Sequence, residues 1–188
     1  LYEKSLFKQC RKHLDRAKKI AYAYEKHAQI LVILDWEKTL ARTSAYSDVE
    51  EKDLLEYYKE HVNAIDNLNN INEYWKLTMN YFFLRKKQGN VRDKDELKKF
   101  NEIIKHPLLK SEKNATTYIS KSFYFNIKGL YYHTNKDYEN LLTYSLKLVN
   151  LFESNPLLKK EDNYIAALNN LLIVQIELKK YEEAIETI

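Results

Sequence analysis

The chain offers five histidines, His13, His27, His61, His106 and His133, and one cysteine, Cys10, as its metal-binding and nucleophilic groups. No two histidines stand three or four residues apart, and none pairs with Cys10, so no local zinc motif is written in the sequence. Cys10 lies among lysines and arginines, a setting that favours a thiolate, but no His or Asn is spaced to serve it as a base, and it reads as a helix residue. A lone cysteine also rules out an internal disulfide. Gly89 and Gly129 are isolated, so there is no glycine-rich phosphate loop and no Gly-x-Ser-x-Gly elbow. Glu177, Glu182, Glu183 and Glu186 cluster near the end, in the pattern of a solvated helix face rather than a catalytic pair. Lys94, Lys98, Lys99 and Lys105, approached through Arg85, Lys86, Lys87 and Arg92, would form a basic patch for nucleic acid, but Asp93, Asp95, Glu96 and Glu102 interrupt it. The net charge of +4, from 31 basic and 27 acidic residues, is that of a mixed surface. The expected inventory is therefore no catalytic group, no cofactor and no metal, with nucleic acid disfavoured as a partner.

The elements that carry these residues are helical. In 188 residues there are two glycines and two prolines, too few for hairpin turns or nucleotide cradles, while 45% hydrophobic residues suffice for a core. Apolar residues recur at helical spacing throughout. Leu6, Cys10, Leu14 and Ala17 predict a helix over about 2–22, and Ile30, Leu31, Leu34, Leu40 and Ala41 a second over 27–44, separated by Tyr24-Glu25-Lys26. Ser47 and Glu50 form a capping box that opens a third over 48–67. Asn67-Leu68-Asn69-Asn70 predicts a break, then a fourth, aromatic helix over 71–87 stopped by Gly89. Asp93 and Glu96 open a short helix over 94–105, ended by His106-Pro107. Longer helices are expected over 114–134, 137–153 (ended by Asn155-Pro156) and 161–179, with a last one from 181. His106 and His133 are placed near helix C-termini, where positive charge is favoured.

Two segments repeat. HPLLKSE at 106–112 returns as NPLLKKE at 155–161, 49 residues later, and KDYENLL at 136–142 returns as KKYEEAI at 179–185, 43 residues later. Periods of this size mark stacked helical hairpins. On these residues the chain resembles the tetratricopeptide repeat family. Phe125, Gly129 and Tyr132 fall at the family's first-helix spacings, Asp137-Tyr138-Glu139 opens the second helix and Pro156 closes it. Tyr181-Glu182-Glu183-Ala184-Ile185 is close to the family's second-helix opening, Leu172 stands where Gly129 would recur, and Tyr24-Glu25-Lys26-His27-Ala28 is similar to the same turn. The chain is also similar to helical-repeat proteins of bacteria. The resemblance implies an all-α fold of antiparallel hairpins, at 1–44, 48–88, 114–154 and 160–188 with the short helix 94–105 inserted, stacked as a right-handed superhelix over a single domain 1–188. Gly129 would let two helices approach closely, so that a leucine there overpacks the hairpin.

Such a stack presents a groove lined by the first helix of each pair. Asn126, Leu130 and His133 are expected to face it from one hairpin and Asn169 and Ile173 from the next, the paired asparagines holding the backbone of an extended peptide. The expected function is a non-catalytic scaffold for a protein or peptide. A sensor or regulatory domain of a bacterial peptide-responsive or transcriptional regulator is the alternative, and a helical enzyme a third. Leu1 in place of Met, and Ile188 within an amphipathic pattern, predict a piece of a longer chain, with self-association through 181–188 open to it. The longest apolar run, Ala28 to Trp36, is far short of the ~20 residues that span a bilayer. With no signal pattern present, the expectation is a cytoplasmic protein, a leader removed ahead of Leu1 remaining open.

Overall fold

Three short polar turns set the architecture. At Tyr24-Glu25-Lys26, Asn135-Lys136-Asp137 and Leu178-Lys179-Lys180 the middle residue takes a left-handed backbone, with φ of 46°, 58° and 59°. Each turn repeats one hydrogen-bond pattern. The residue after the left-handed one donates its N–H five residues back, Lys26 to Ala21 at 2.7 Å, Asp137 to Tyr132 at 2.9 Å and Lys180 to Gln175 at 2.8 Å. The left-handed residue itself donates three back, to Tyr22, His133 and Ile176. This is the Schellman stop, which satisfies the last carbonyls of one helix and turns the chain into the next.

The computed structural model describes residues 1–43, 50–88 and 94–187, all helix, turn or connector with no strand among them. After a 3₁₀ turn at Tyr2–Lys4 come α1 (Phe7–Ala23), α2 (His27–Thr43), α3 (Glu51–Gln88), α4 (Lys94–Ile104), α5 (Tyr118–Thr134), α6 (Tyr138–Ser154), α7 (Glu161–Glu177) and α8 (Tyr181–Thr187). The fold is all-α, with sequential helices packed on each other. The capping box at Ser47, the Gly89 stop and the Asp93 box involve residues outside the described ones. The chain divides into two compact units, Leu1–Asn69 and Asn70–Ile188, with the boundary inside α3.

In the first unit α1 and α2 form a hairpin around Ala21, Ile30, Ile33 and Leu34, with Ala64 of α3 against them. Lys18 of α1 reaches Glu37 of α2 at 3.0 Å and Glu60 of α3 at 2.6 Å, tying the three helices with one ammonium. Burial pulls the Lys18 pKa down, and the hydrogen bonds to Glu60 and Glu37 more than offset it. His27, expected at the surface, is buried at the start of α2. Among the described residues its Nε2 has no hydrogen-bond partner, and desolvation holds its pKa below 6.5.

The second unit corrects two expectations. The predicted break at 67–70 is absent, and α3 runs unbroken for 38 residues. Asparagine costs a helix only about 0.5–0.7 kcal/mol, no Gly or Pro interrupts 51–88, and the Asn70 side chain has a use elsewhere. Its amide donates to the Asn114 carbonyl at 2.9 Å, and its oxygen accepts from the Thr116 N–H at 3.1 Å, clamping the connector that leads into α5. Nor does α5 begin at 114. Residues Glu112–Asn114 form a 3₁₀ turn, and a capping box between Thr117 and Ser120 starts the helix at Tyr118. His106, outside any α-helix, accepts the Leu108 N–H on Nδ1 at 3.3 Å and so opens the 3₁₀ turn Pro107–Lys110. Two buried phenols of α3 complete the attachment. Tyr74 donates to the Leu108 carbonyl at 2.7 Å and Tyr81 to the Leu130 carbonyl at 2.8 Å, and burial pushes each pKa up to about 12.

Asn70→Ala removes both connector bonds and is expected to destabilise the protein by about 1–2 kcal/mol in denaturant unfolding. A gain in stability, as helix propensity alone would give, would show that the clamp contributes nothing.

Candidate functional site

A cleft of about 180 Å³ opens among α5, α6 and α7, with one side chain of α3 at its edge. Its α5 wall is Asn126, Leu130 and His133, at i, i+4 and i+7 on one helical face. Asn170 and Ile173 come from α7, and Gly129 of α5 with Leu141 and Ser145 of α6 form part of the lining between. Arg85 supplies the guanidinium. It sits one turn beyond Tyr81, whose phenol is held by the α5 carbonyl of Leu130 and by the Thr134 hydroxyl, and this places Arg85 beside the end of α5. No carboxylate lines the cleft among the described residues, and Arg85 has no ion-pair partner among them. Desolvation and then the Arg85 charge hold the His133 pKa below 6.5, against a smaller pull from Glu177. At neutral pH His133 is therefore an uncharged imidazole with one donor and one acceptor, and among the described residues the positive charge of the cleft is Arg85's.

The structure brings together four of the five expected groove residues, Asn126, Leu130, His133 and Ile173. Asn169 is exposed on α7 and does not line the cleft; Asn170 does. Superposing the left-handed residues Lys136 and Lys179 makes Asn126 equivalent to Asn169 and Leu130 to Ile173. Of these α7 equivalents Ile173 lines the cleft and Asn169 does not, and the asparagine on the cleft is Asn170, three residues before Ile173 on the same helical face. By sequence Arg85 falls with the basic residues near α4, and its separation from Tyr81 by one helical turn is the sequence signal of its position. Of that basic group, Lys105 pairs with Glu102 at 2.8 Å, while the side chains of Lys87, Arg92 and Lys94 lie outside the described residues. Among the described residues no three His, Cys, Asp or Glu side chains gather as a metal site, and no helix is long and apolar enough to cross a membrane.

Gly129 is buried against α6, but a Cβ added there would meet Leu141 Cδ1 at 3.6 Å, an ordinary contact. The close approach expected from the sequence leaves room for a methyl group. Gly129→Ala is thus expected to raise stability by up to about 1 kcal/mol through helix propensity, read as a higher melting temperature; a lower one would mean that the hairpin tolerates no side chain at this level.

The chain matches no protein-family model, no curated protein and no solved structure.

Proposed function

We propose that the second unit is a non-catalytic binding module of the tetratricopeptide kind, and that the cleft beside Arg85 takes an extended segment of a protein or peptide partner. One observation carries this reading. Two asparagines on separate helices, Asn126 and Asn170, flank a partly apolar cleft whose single charge is an arginine without an ion-pair partner among the described residues. Amide side chains offer a donor and an acceptor each, the pairing that a peptide backbone needs, and they do so without imposing a sequence. Leu130 and Ile173 give apolar contact for a side chain of the partner, and Arg85 favours a carboxylate nearby through a charge-assisted bond. The neutral His133 adds a hydrogen bond without competing for that carboxylate. Polar groups that orient a ligand, set in an apolar cleft formed between helices, are the usual composition of a binding site. A right-handed stacking of the hairpins belongs to the same proposal, supported by the three identical turns.

Selection of a random dodecapeptide library on the wild-type protein, followed by affinity measurement on variants, tests it. Selected peptides are expected to lose about tenfold or more in affinity on Asn126→Ala with Asn170→Ala, and to be indifferent to Asn169→Ala. Equal binding by the double variant, with its helical content unchanged, would remove the cleft from the function.

A further inference from the structure

In the first unit one face of α3 is apolar and bare. Tyr57, Glu60 and Ala64 turn to α1 and α2: Tyr57 lies under the Lys18 ammonium, Glu60 pairs with that ammonium at 2.6 Å, and Ala64 is buried in the hairpin core. The other side of the helix carries Leu55, Tyr58, Val62 and Ile65, which are 53%, 66%, 37% and 40% exposed. Their spacing of three, four and three residues is the a/d seam of a coiled coil, two heptads long. The seam has polar ends, since Glu51 and Asn69 hold the next positions on either side. A stripe of large apolar side chains on one helical face is the pattern of a surface that packs against something.

We infer that this face pairs with the same face of a second copy of the chain, the two α3 helices running antiparallel about a two-fold axis beside position 60. The stripe is complementary to itself in that register. Leu55 meets Ile65 of the second copy and Tyr58 meets its Val62, each contact made twice, and Glu51 meets Asn69 at both ends. The flanks agree with the seam. On one side the exposed Leu54 meets Leu68, and on the other Lys52 meets Asp66. Asp66 has no ion-pair partner among the described residues. Lys52 is held by Glu50 at 2.7 Å, an exposed pair that contributes little and that Asp66 can replace. Lys59 meets its own copy at the axis, a like pair at the rim, and Glu56 stands one turn away on each chain to offset it. A parallel pairing serves these residues less well, because it sets Tyr58 on Tyr58 and leaves Lys52 with no acid opposite.

Sedimentation equilibrium of the whole chain, from micromolar to millimolar concentration, is the readout. Reversible dimerisation is expected, weakened about tenfold or more by Val62→Glu and by Tyr58→Lys. Both residues are exposed, so the variants keep the circular dichroism spectrum of the wild type. Charge reversal reads the register. Lys52→Asp and Asp66→Lys each set like charges face to face at two places, and are expected to weaken the dimer about threefold or more singly and to restore it when combined. A chain that stays monomeric throughout would contradict the pairing and leave the face to another occupant. So would a dimer indifferent to both seam variants, which must join elsewhere. A dimer that the combined reversal does not restore would refute the antiparallel register.

Discussion

Everything in the arrangement of these helices depends on a residue placed in the left-handed region at the middle of a three-residue turn. In that conformation the chain can satisfy two carbonyls of the preceding helix and start the next within three residues, so consecutive helices must lie antiparallel and adjacent. The constraint is met three times with the same hydrogen bonds, and the helices that it joins in two of the three hairpins are 17 residues each. None of the three residues is glycine. Glu25, Lys136 and Lys179 hold a backbone that costs an L-residue about 1–2 kcal/mol, and their persistence implies that the packing of the paired helices over-determines the turn.

Where the hairpin rhythm lapses, polar side chains of α3 take over. Between α4 and α5 the chain runs through two 3₁₀ turns that bury Leu109 and lead to the buried Ala115, and Asn70 and Tyr74 fix it by bonding its main chain. Tyr81 does the same for the end of α5 and thereby delivers Arg85 to the cleft. A buried main-chain polar group must find a partner, and here two side chains on one long helix, Asn70 and Tyr74, supply partners for an irregular segment. The cleft depends on both devices: the turn of α5 and α6 sets its walls, and the α3 hooks set its charge.

The helices themselves were legible because their apolar spacing is regular, and two of the turns because 136–142 returns at 179–185 with the same Lys, Tyr and Glu. What stayed hidden has physical causes. Asn67 to Asn70 look like a break because asparagine is a mediocre helix former, but that preference is small, and a tertiary clamp 44 residues away in sequence outweighs it. The start of α5 depends on a Thr117–Ser120 box whose second member is serine instead of glutamate, outside the usual pattern. Four of the five groove residues could be read from helical spacing on α5 and α7. Asn170 could not, because the repeat offset from Asn126 points to Asn169, whereas the cleft takes the residue three before Ile173 on the same face of α7. Arg85 could not either, because it arrives from outside the repeat through a hydrogen bond between residues 49 apart in the chain.

The central claim is that Lys136 is held left-handed by the hairpin, and a single substitution addresses it. Lys136→Gly, followed by denaturant unfolding, should raise stability by about 0.5–1 kcal/mol, because glycine enters that region without the penalty an L-residue pays. A fall of about 1 kcal/mol, the cost of glycine in a continuous helix, would mean that α5 and α6 are not separated by this turn, and the register of the hairpins and the cleft built on it would fail together.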